Sequence, residues 1–409
     1  MIYFKNISSI IPNRRKIIIY TIRFSLLWLT FEYMVYIIEY KKLKKAIINL
    51  KKELIGKYSQ KPKYTSSIAK EFSNYNHNCE KHILFTMNNS FNLSSQNLKS
   101  VINNIERYND KFIDNNYSLL DNDKQLLCFP ILFRIMFSIS NNYQIIKWKM
   151  RYKIQKNIIN NDSIYEIVDN SEKFKYTIII FTGLGGSLYP FNNIINKLIK
   201  LKYRILIPIY LPAQASLNYN FNCFEDNFYE NLLNYLMEKN INYFDVLGWS
   251  LGGMLYRGFD TFLHKKNKKM IKLAYLIEPL LGIRGTLDVY FCKKRTYNDT
   301  IKIIDSVTDK KYSLHNRIFA YMCHSPVGYG TGNSFYKFYN MGSHEIKFDY
   351  PRYLFISSDD IIINNKLDTG LIEKNFDTNK IFYRLGYHGG WINSSKIIPI
   401  FENIVKFEK

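Results

Sequence analysis

Cysteine is scarce and scattered in this sequence. Five residues, Cys79, Cys128, Cys223, Cys292 and Cys323, stand among 409, and no two form a C-x-x-C pair. An odd, dispersed set excludes a disulfide framework and a cysteine-held zinc site, and it predicts reduced, buried thiols. Glycine (18) and proline (10) are too few for a collagen-like or low-complexity chain. Negative charge is in short supply as well: 57 Lys and Arg minus 34 Asp and Glu leave +23. An excess of that size raises the question of a polyanionic partner. No helix-turn-helix, zinc-finger or RNA-binding pattern accompanies it, so no nucleic-acid partner is expected. Codons rich in A and T, which favour Lys, Asn, Ile and Tyr (34 Tyr), are a bland source of the excess. Attraction to anionic membrane lipids is the functional alternative. What is plentiful is apolar surface: 47% hydrophobic against 22% charged residues excludes wholesale disorder. At roughly 100–200 residues per domain, the length predicts two units, or one large unit with insertions.

Residues 17–38 read IIIYTIRFSLLWLTFEYMVYII. About 20 mostly apolar residues suffice to cross a bilayer, and Arg23 and Glu32 interrupt this run. Three readings follow: a spanning signal anchor whose charges snorkel or pair, an aromatic helix lying in the interface, or a buried soluble helix. No small-residue cleavage site follows, which disfavours a cleaved signal peptide. Basic clusters flank both ends, Arg14, Arg15 and Lys16 before and Lys41, Lys42, Lys44 and Lys45 after, so the positive-inside rule leaves orientation open. The expected organisation is a basic, apolar membrane-anchor segment over 1–60, single-pass or peripheral, and a helical or irregular extension over 61–160. A second apolar run, 126–139, contains Pro130 and is too short to span. It is expected to dock on the main domain as a helix or to dip into a membrane.

From about residue 145 the pattern changes. Short runs rich in β-branched and aromatic residues alternate with helical stretches. Strands are predicted at Tyr176–Thr182, Tyr203–Tyr210, Tyr243–Gly248, Leu273–Glu278, Arg352–Ser357 and Lys380–Leu385. Helices are predicted at Phe224–Lys239, Leu251–Lys265 and Ser394–Lys406. Near-continuous apolar strands separated by helices argue for an α/β fold, a doubly wound and mostly parallel sheet covered on both faces.

Gly248-Trp249-Ser250-Leu251-Gly252, followed by Gly253, sits between such a strand and such a helix. A serine exposed on a tight strand-to-helix turn is placed to act as a nucleophile, and the flanking glycines keep side chains out of its way. The helix that follows aims its N–H groups at developing negative charge. In this context residues 161–409 resemble the α/β-hydrolases. Phe181-Thr182-Gly183-Leu184-Gly185-Gly186-Ser187 is similar to the family's His-Gly-x-Gly loop, with Thr182 where His is usual. The resemblance implies an oxyanion hole made by the backbone N–H groups of Leu184 and Leu251, with Gly183, Gly185, Gly248 and Gly252 as motif glycines. The strand-end turn Ser357-Ser358-Asp359-Asp360-Ile361 resembles the family's acid turn, which puts the acid at Asp360 with Asp359 as the alternative. Gly386-Tyr387-His388-Gly389-Gly390-Trp391 resembles the loop carrying the catalytic histidine. Among seven histidines, His388 alone follows that acid in a strand-to-helix loop.

The resemblance therefore implies a Ser250, Asp360, His388 triad acting through an acyl-enzyme on a small-molecule or lipid carboxylic ester, with no cofactor and no metal. An acyltransferase or thioesterase on the same residues, and a non-catalytic scaffold of the same fold, remain alternatives. The stretch between Pro279 and Tyr350 is too long for a plain connection; the resemblance implies a helical lid at about 281–350, with a helical decoration that gates nothing as the alternative. Its segments Lys310–Met322 and Ser334–Met341 are expected to line an acyl pocket. Taken together, the motifs, with Pro190 and Trp391, are similar to those of little-characterised membrane-associated eukaryotic members. Oligomeric state is left open.

Overall fold

A computed structural model describes residues 14–58, 130–217, 227–280 and 349–409, apart from 161, 172, 358–359, 361–379, 386–387, 393 and 409. Isolated residues between 297 and 321 are described as well. Most of the expected lid, its aromatic run at 334–341 and the alternative acid Asp359 lie outside the described residues.

Helix α1 runs from Arg14 to Tyr58. Its apolar stretch Ile17–Ile38 is long and apolar enough to cross a membrane by length and composition, and none of it is buried within the protein. That exposure removes the buried soluble helix from the three readings. Helix α2, Ile131–Lys149, begins directly after Pro130, which stands at its N-cap where the missing N–H costs the helix nothing.

Eight strands form one sheet: β1 (Lys153–Ile159), β2 (Asp162–Val168), β3 (Tyr176–Phe181), β4 (Tyr203–Ile209), β5 (Phe244–Trp249), β6 (Ile271–Ile277), β7 (Arg352–Ser357) and β8 (Ile381–Arg384). Their spatial order is β1-β2-β4-β3-β5-β6-β7-β8. β2 runs antiparallel to both its neighbours, and every other neighbouring pair is parallel. The sheet thus opens at Lys153, ahead of the domain start expected at 161. The hairpin β1–β2 was not among the expected strands. β1 mixes exposed and half-buried positions with none buried, and its turn is marked by Asn160, which takes φ 54°, a left-handed conformation that Asn tolerates.

Helices α3 (Asn192–Lys200), α4 (Asn227–Glu238), α5 (Leu251–Lys265) and α6 (Ile397–Glu408) complete the layers. Alternate residues of each strand face opposite sides. Ile178, Ile180, Ile205 and Ile207 pack with Trp148 of α2, Ile194 and Leu198 of α3 and Phe401 of α6. Phe181 and Phe244 meet Phe259 of α5 on the other face, where Tyr229 of α4 stacks on Phe259. Both faces of the parallel strands are therefore covered, which is why those strands read as unbroken apolar runs.

Candidate active site

Ser250 stands on the turn between β5 and α5 with φ 54° and ψ −119°. This sparsely populated conformation costs on the order of 1–3 kcal/mol and persists only when its surroundings over-determine it. They do so here by hydrogen bonds. The Ser250 N–H donates to Ile277 O (3.0 Å), and the Ser250 carbonyl accepts from Gly253 N (2.9 Å) and Leu280 N (2.8 Å). The flanking glycines are required by close approach. A Cβ at Gly252 would fall on the Phe181 carbonyl, and one at Gly248 would lie 2.9 Å from the Gly252 oxygen.

His388 joins the serine from the far end of the chain. Its Nε2 is 2.9 Å from Ser250 Oγ, and its Nδ1 is 2.8 Å from Asp360 Oδ2. The three residues selected from sequence thus form one hydrogen-bonded relay, with Asp360 at the C-terminal end of β7. The Trp249 indole stacks on the imidazole with centroids 6.1 Å apart. Burial pushes the His388 pKa down, but the Asp360 carboxylate beside it, with Glu278 behind, outweighs burial and leaves the group above its usual value.

Glu278 is the residue that sequence reading left as a mere strand end. It follows β6 directly, is fully buried, and takes φ 43°. Its carboxylate accepts from Gly389 N (2.7 Å), Trp391 N (3.0 Å) and Ser357 Oγ (2.6 Å), with the Trp249 indole N–H at 3.4 Å. One side chain therefore ties the histidine loop, the end of β7 and the residue before the nucleophile together. Burial pushes the Glu278 pKa up, and so does Asp360, while His388 and the bonds from Ser357 and Trp391 oppose the rise. The one signal in the sequence is a carboxylate closing an otherwise apolar buried strand.

The loop after β3 lies against the nucleophile. A Cβ at Gly183 would come within 3.3 Å of Ser250 Cβ and 3.0 Å of the Trp249 ring. Gly185 is zipped to the chain after β4 through Gly185 N to Ala213 O (2.7 Å) and Ala215 N to Gly185 O (3.0 Å). From outside, Asn141 of α2 clamps the same loop, accepting from Leu188 N (3.0 Å) and donating to Gly186 O (3.1 Å). Leu184, Phe133 and Phe137 of α2, and Ile318 all pack against the buried Ala215. Leu251 opens α5, and the first N–H groups of a helix have no partner within the helix. A small apolar cluster of Tyr297, Ile301 and Ala320 marks the described part of the insertion.

No protein-family model and no curated protein sequence matches this chain. Solved structures similar to it include a bromoperoxidase from Bacillus anthracis, 14% identical over 62% of this chain and 100% of that one, with a TM-score of 0.43. A serine hydrolase from Cycloclasticus zankles is 13% identical over 62% of this chain and 98% of that one, with a TM-score of 0.43. A bacterial membrane phospholipase A is 10% identical over 68% of this chain and 94% of that one, with a TM-score of 0.45. The strand order, the single reversed strand at β2 and the serine on the turn after β5 give this chain the α/β-hydrolase fold.

Proposed function

We propose that this chain is a membrane-tethered serine hydrolase that cleaves a carboxylic ester, lipid-like in character, through an acyl-enzyme. The observation that carries the reading is the relay from Ser250 Oγ through His388 to Asp360, at 2.9 and 2.8 Å, on a strained turn at the head of a helix.

With the Nδ1 proton donated to Asp360, His388 Nε2 accepts from the Ser250 hydroxyl. As Oγ attacks the acyl carbonyl, that proton moves to Nε2 and the new C–O bond forms. Asp360 holds the ring in the required tautomer and stabilises the imidazolium. The carbonyl oxygen gathers negative charge, which the N–H groups of Leu184 and Leu251 receive at roughly 3–4 kcal/mol of barrier lowering. Collapse breaks the ester bond, and the leaving alkoxide takes the proton from Nε2. Water, deprotonated by the same nitrogen, then releases the acid and restores Ser250. The lipid-like preference is supported by the unburied apolar stretch of α1 and by the phenylalanines of α2, which pack on Ala215 as Leu184 does.

A fluorophosphonate probe tests the assignment. It is expected to label the wild-type chain and to leave Ser250→Ala unlabelled. Equal labelling of both would overturn the reading.

A further inference from the structure

Helix α2 is apolar on two faces. Its inner face, with Ile131, Ile145 and Trp148, is buried against the domain. Its outer face carries Leu132, Met136, Ile139, Tyr143, Ile146 and Met150, between 54% and 76% exposed. At about 100° per residue these six fall within an arc of roughly 80°. Four-then-three spacing sustained over the whole helix is an ordered seam, not scattered surface apolarity.

What covers the seam follows from where α2 begins. Both carboxylate oxygens of Glu32 accept from Ile131 N at 2.9 Å. Glu32 lies inside the apolar stretch of α1, six residues before its end at Ile38. At 1.5 Å per residue that is roughly 9 Å inside the stretch. The start of α2 therefore shares the depth of Glu32. A carboxylate in hydrocarbon needs a partner, and so do the unpaired N–H groups of a helix start. Here each answers the other, aided by the helix dipole. The other end of α2 is cationic: Lys147 and Lys149 stand in its last turn, and Arg151 and Lys153 follow it.

We propose that α2 is a second membrane contact, entering the bilayer obliquely beside α1 with its outer face against acyl chains. Leu132 and Met136 sit deepest, Tyr143 lies at the headgroup level, and the basic end meets anionic headgroups. The same charges would repel one another in a parallel pairing of two copies of this helix. Because Asn141 clamps the loop after β3, and Phe133 and Phe137 share with Leu184 the packing around Ala215, the contact sets this side of the site against the bilayer. Substrate then enters from the lipid phase. That consequence rests on Ser250 being the nucleophile; the contact itself does not.

The full chain, wild type and Ser250→Ala, is reconstituted into phosphatidylcholine–phosphatidylserine vesicles in which some phosphatidylcholine carries a diazirine at its acyl terminus. Irradiation and peptide mass spectrometry are expected to find adducts at Leu132, Met136 or Ile139 in both proteins, besides those in 17–38. Adducts confined to 17–38, or crosslinks joining the seams of two copies, would refute the contact. In a second arm, Met136→Lys combined with Ile139→Lys is expected to slow turnover of a vesicle-embedded long-chain ester at least tenfold. Turnover of a soluble short-chain ester should stay within twofold. An equal fall on both substrates would count against the proposal. Failure of the hydrolase reading would instead show as no turnover of either ester by the wild type, with the adducts unchanged.

Discussion

That Ser250, Asp360 and His388 come within hydrogen-bonding distance of one another was legible because each sits in a local pattern that backbone geometry enforces. A serine between glycines at a strand-to-helix turn announces close packing that only glycine permits, and Gly252, facing the Phe181 carbonyl, shows why. Glu278 has no such local pattern. Its partners, Ser357, Gly389 and Trp391, come from 79 to 113 residues away, so only folding reveals its task. Two consequences of the electrostatics are measurable. In the proposed mechanism His388 must be neutral to accept the serine proton, and its pKa stands above the usual 6.5. The acidic limb of kcat/KM is therefore expected to have its midpoint above 6.5, with activity lost as pH falls through it. Glu278→Gln removes one of the negative charges that raise His388, so the limb should move to lower pH. An amide also offers one acceptor oxygen where two are used, leaving a buried N–H unmet at about 1–3 kcal/mol. The plateau of kcat/KM should fall roughly 5- to 150-fold. Stopped or pH-stat assays across the range check both effects; an unshifted limb would mean that Glu278 acts on loop geometry alone.

Among elements, the buried parallel strands were legible and the edge hairpin was not. β3 to β7 sit between helix layers and so spell themselves as apolar runs, and β7 matches its expected bounds at Arg352–Ser357. β1 and β2 answer to different surroundings, since β1 is a sheet edge with no buried position. Helix α2 was half legible: its apolarity showed from 131, but the expected segment stopped at 139 because the polar residues Asn141, Asn142 and Gln144 interrupt the run. Two of those residues are working contacts. Gln144 reaches Asn192 at 2.8 Å, and Asn141 closes on both sides of the loop that carries Leu184. Replacing Asn141 by Ala removes both contacts and leaves the part-buried Leu188 N–H without its acceptor, at about 1–3 kcal/mol. The loop donor for the oxyanion is then held less firmly. The expected signature is a fall in kcat with KM changed less than threefold, because in the proposed mechanism Leu184 N–H receives charge that exists only in the transition state. A rise in KM with kcat unchanged would place the role of Asn141 in ground-state binding instead.

For the molecule as a whole, two features would hold the chain at the membrane proposed above, and they respond differently to salt. One is the formal charge of +23, with basic clusters at both flanks of the apolar stretch of α1. The other is the stretch Ile17–Ile38 itself, none of which is buried in the protein. At 1 M salt the Debye length is about 3 Å, so attraction between surface lysines and anionic lipids is largely screened. Burial of apolar side chains at roughly 25 cal/mol per Å² is not weakened by salt. A spanning α1 therefore predicts that the full chain stays with the membrane pellet in 1 M NaCl and in alkaline carbonate, and leaves it only with detergent. An interfacial α1 held by charge predicts substantial release by either wash. The two arrangements also treat Glu32 differently. In a spanning helix Glu32 lies in hydrocarbon, so Glu32→Ala leaves the N–H groups at the start of α2 unmet there and should lower turnover of a vesicle-embedded ester without releasing the chain. In an interfacial helix water can replace the carboxylate at those N–H groups, and the same substitution should leave turnover nearly unchanged. Fractionation and vesicle assays on the one variant thus separate a chain pinned through the bilayer from one resting on it.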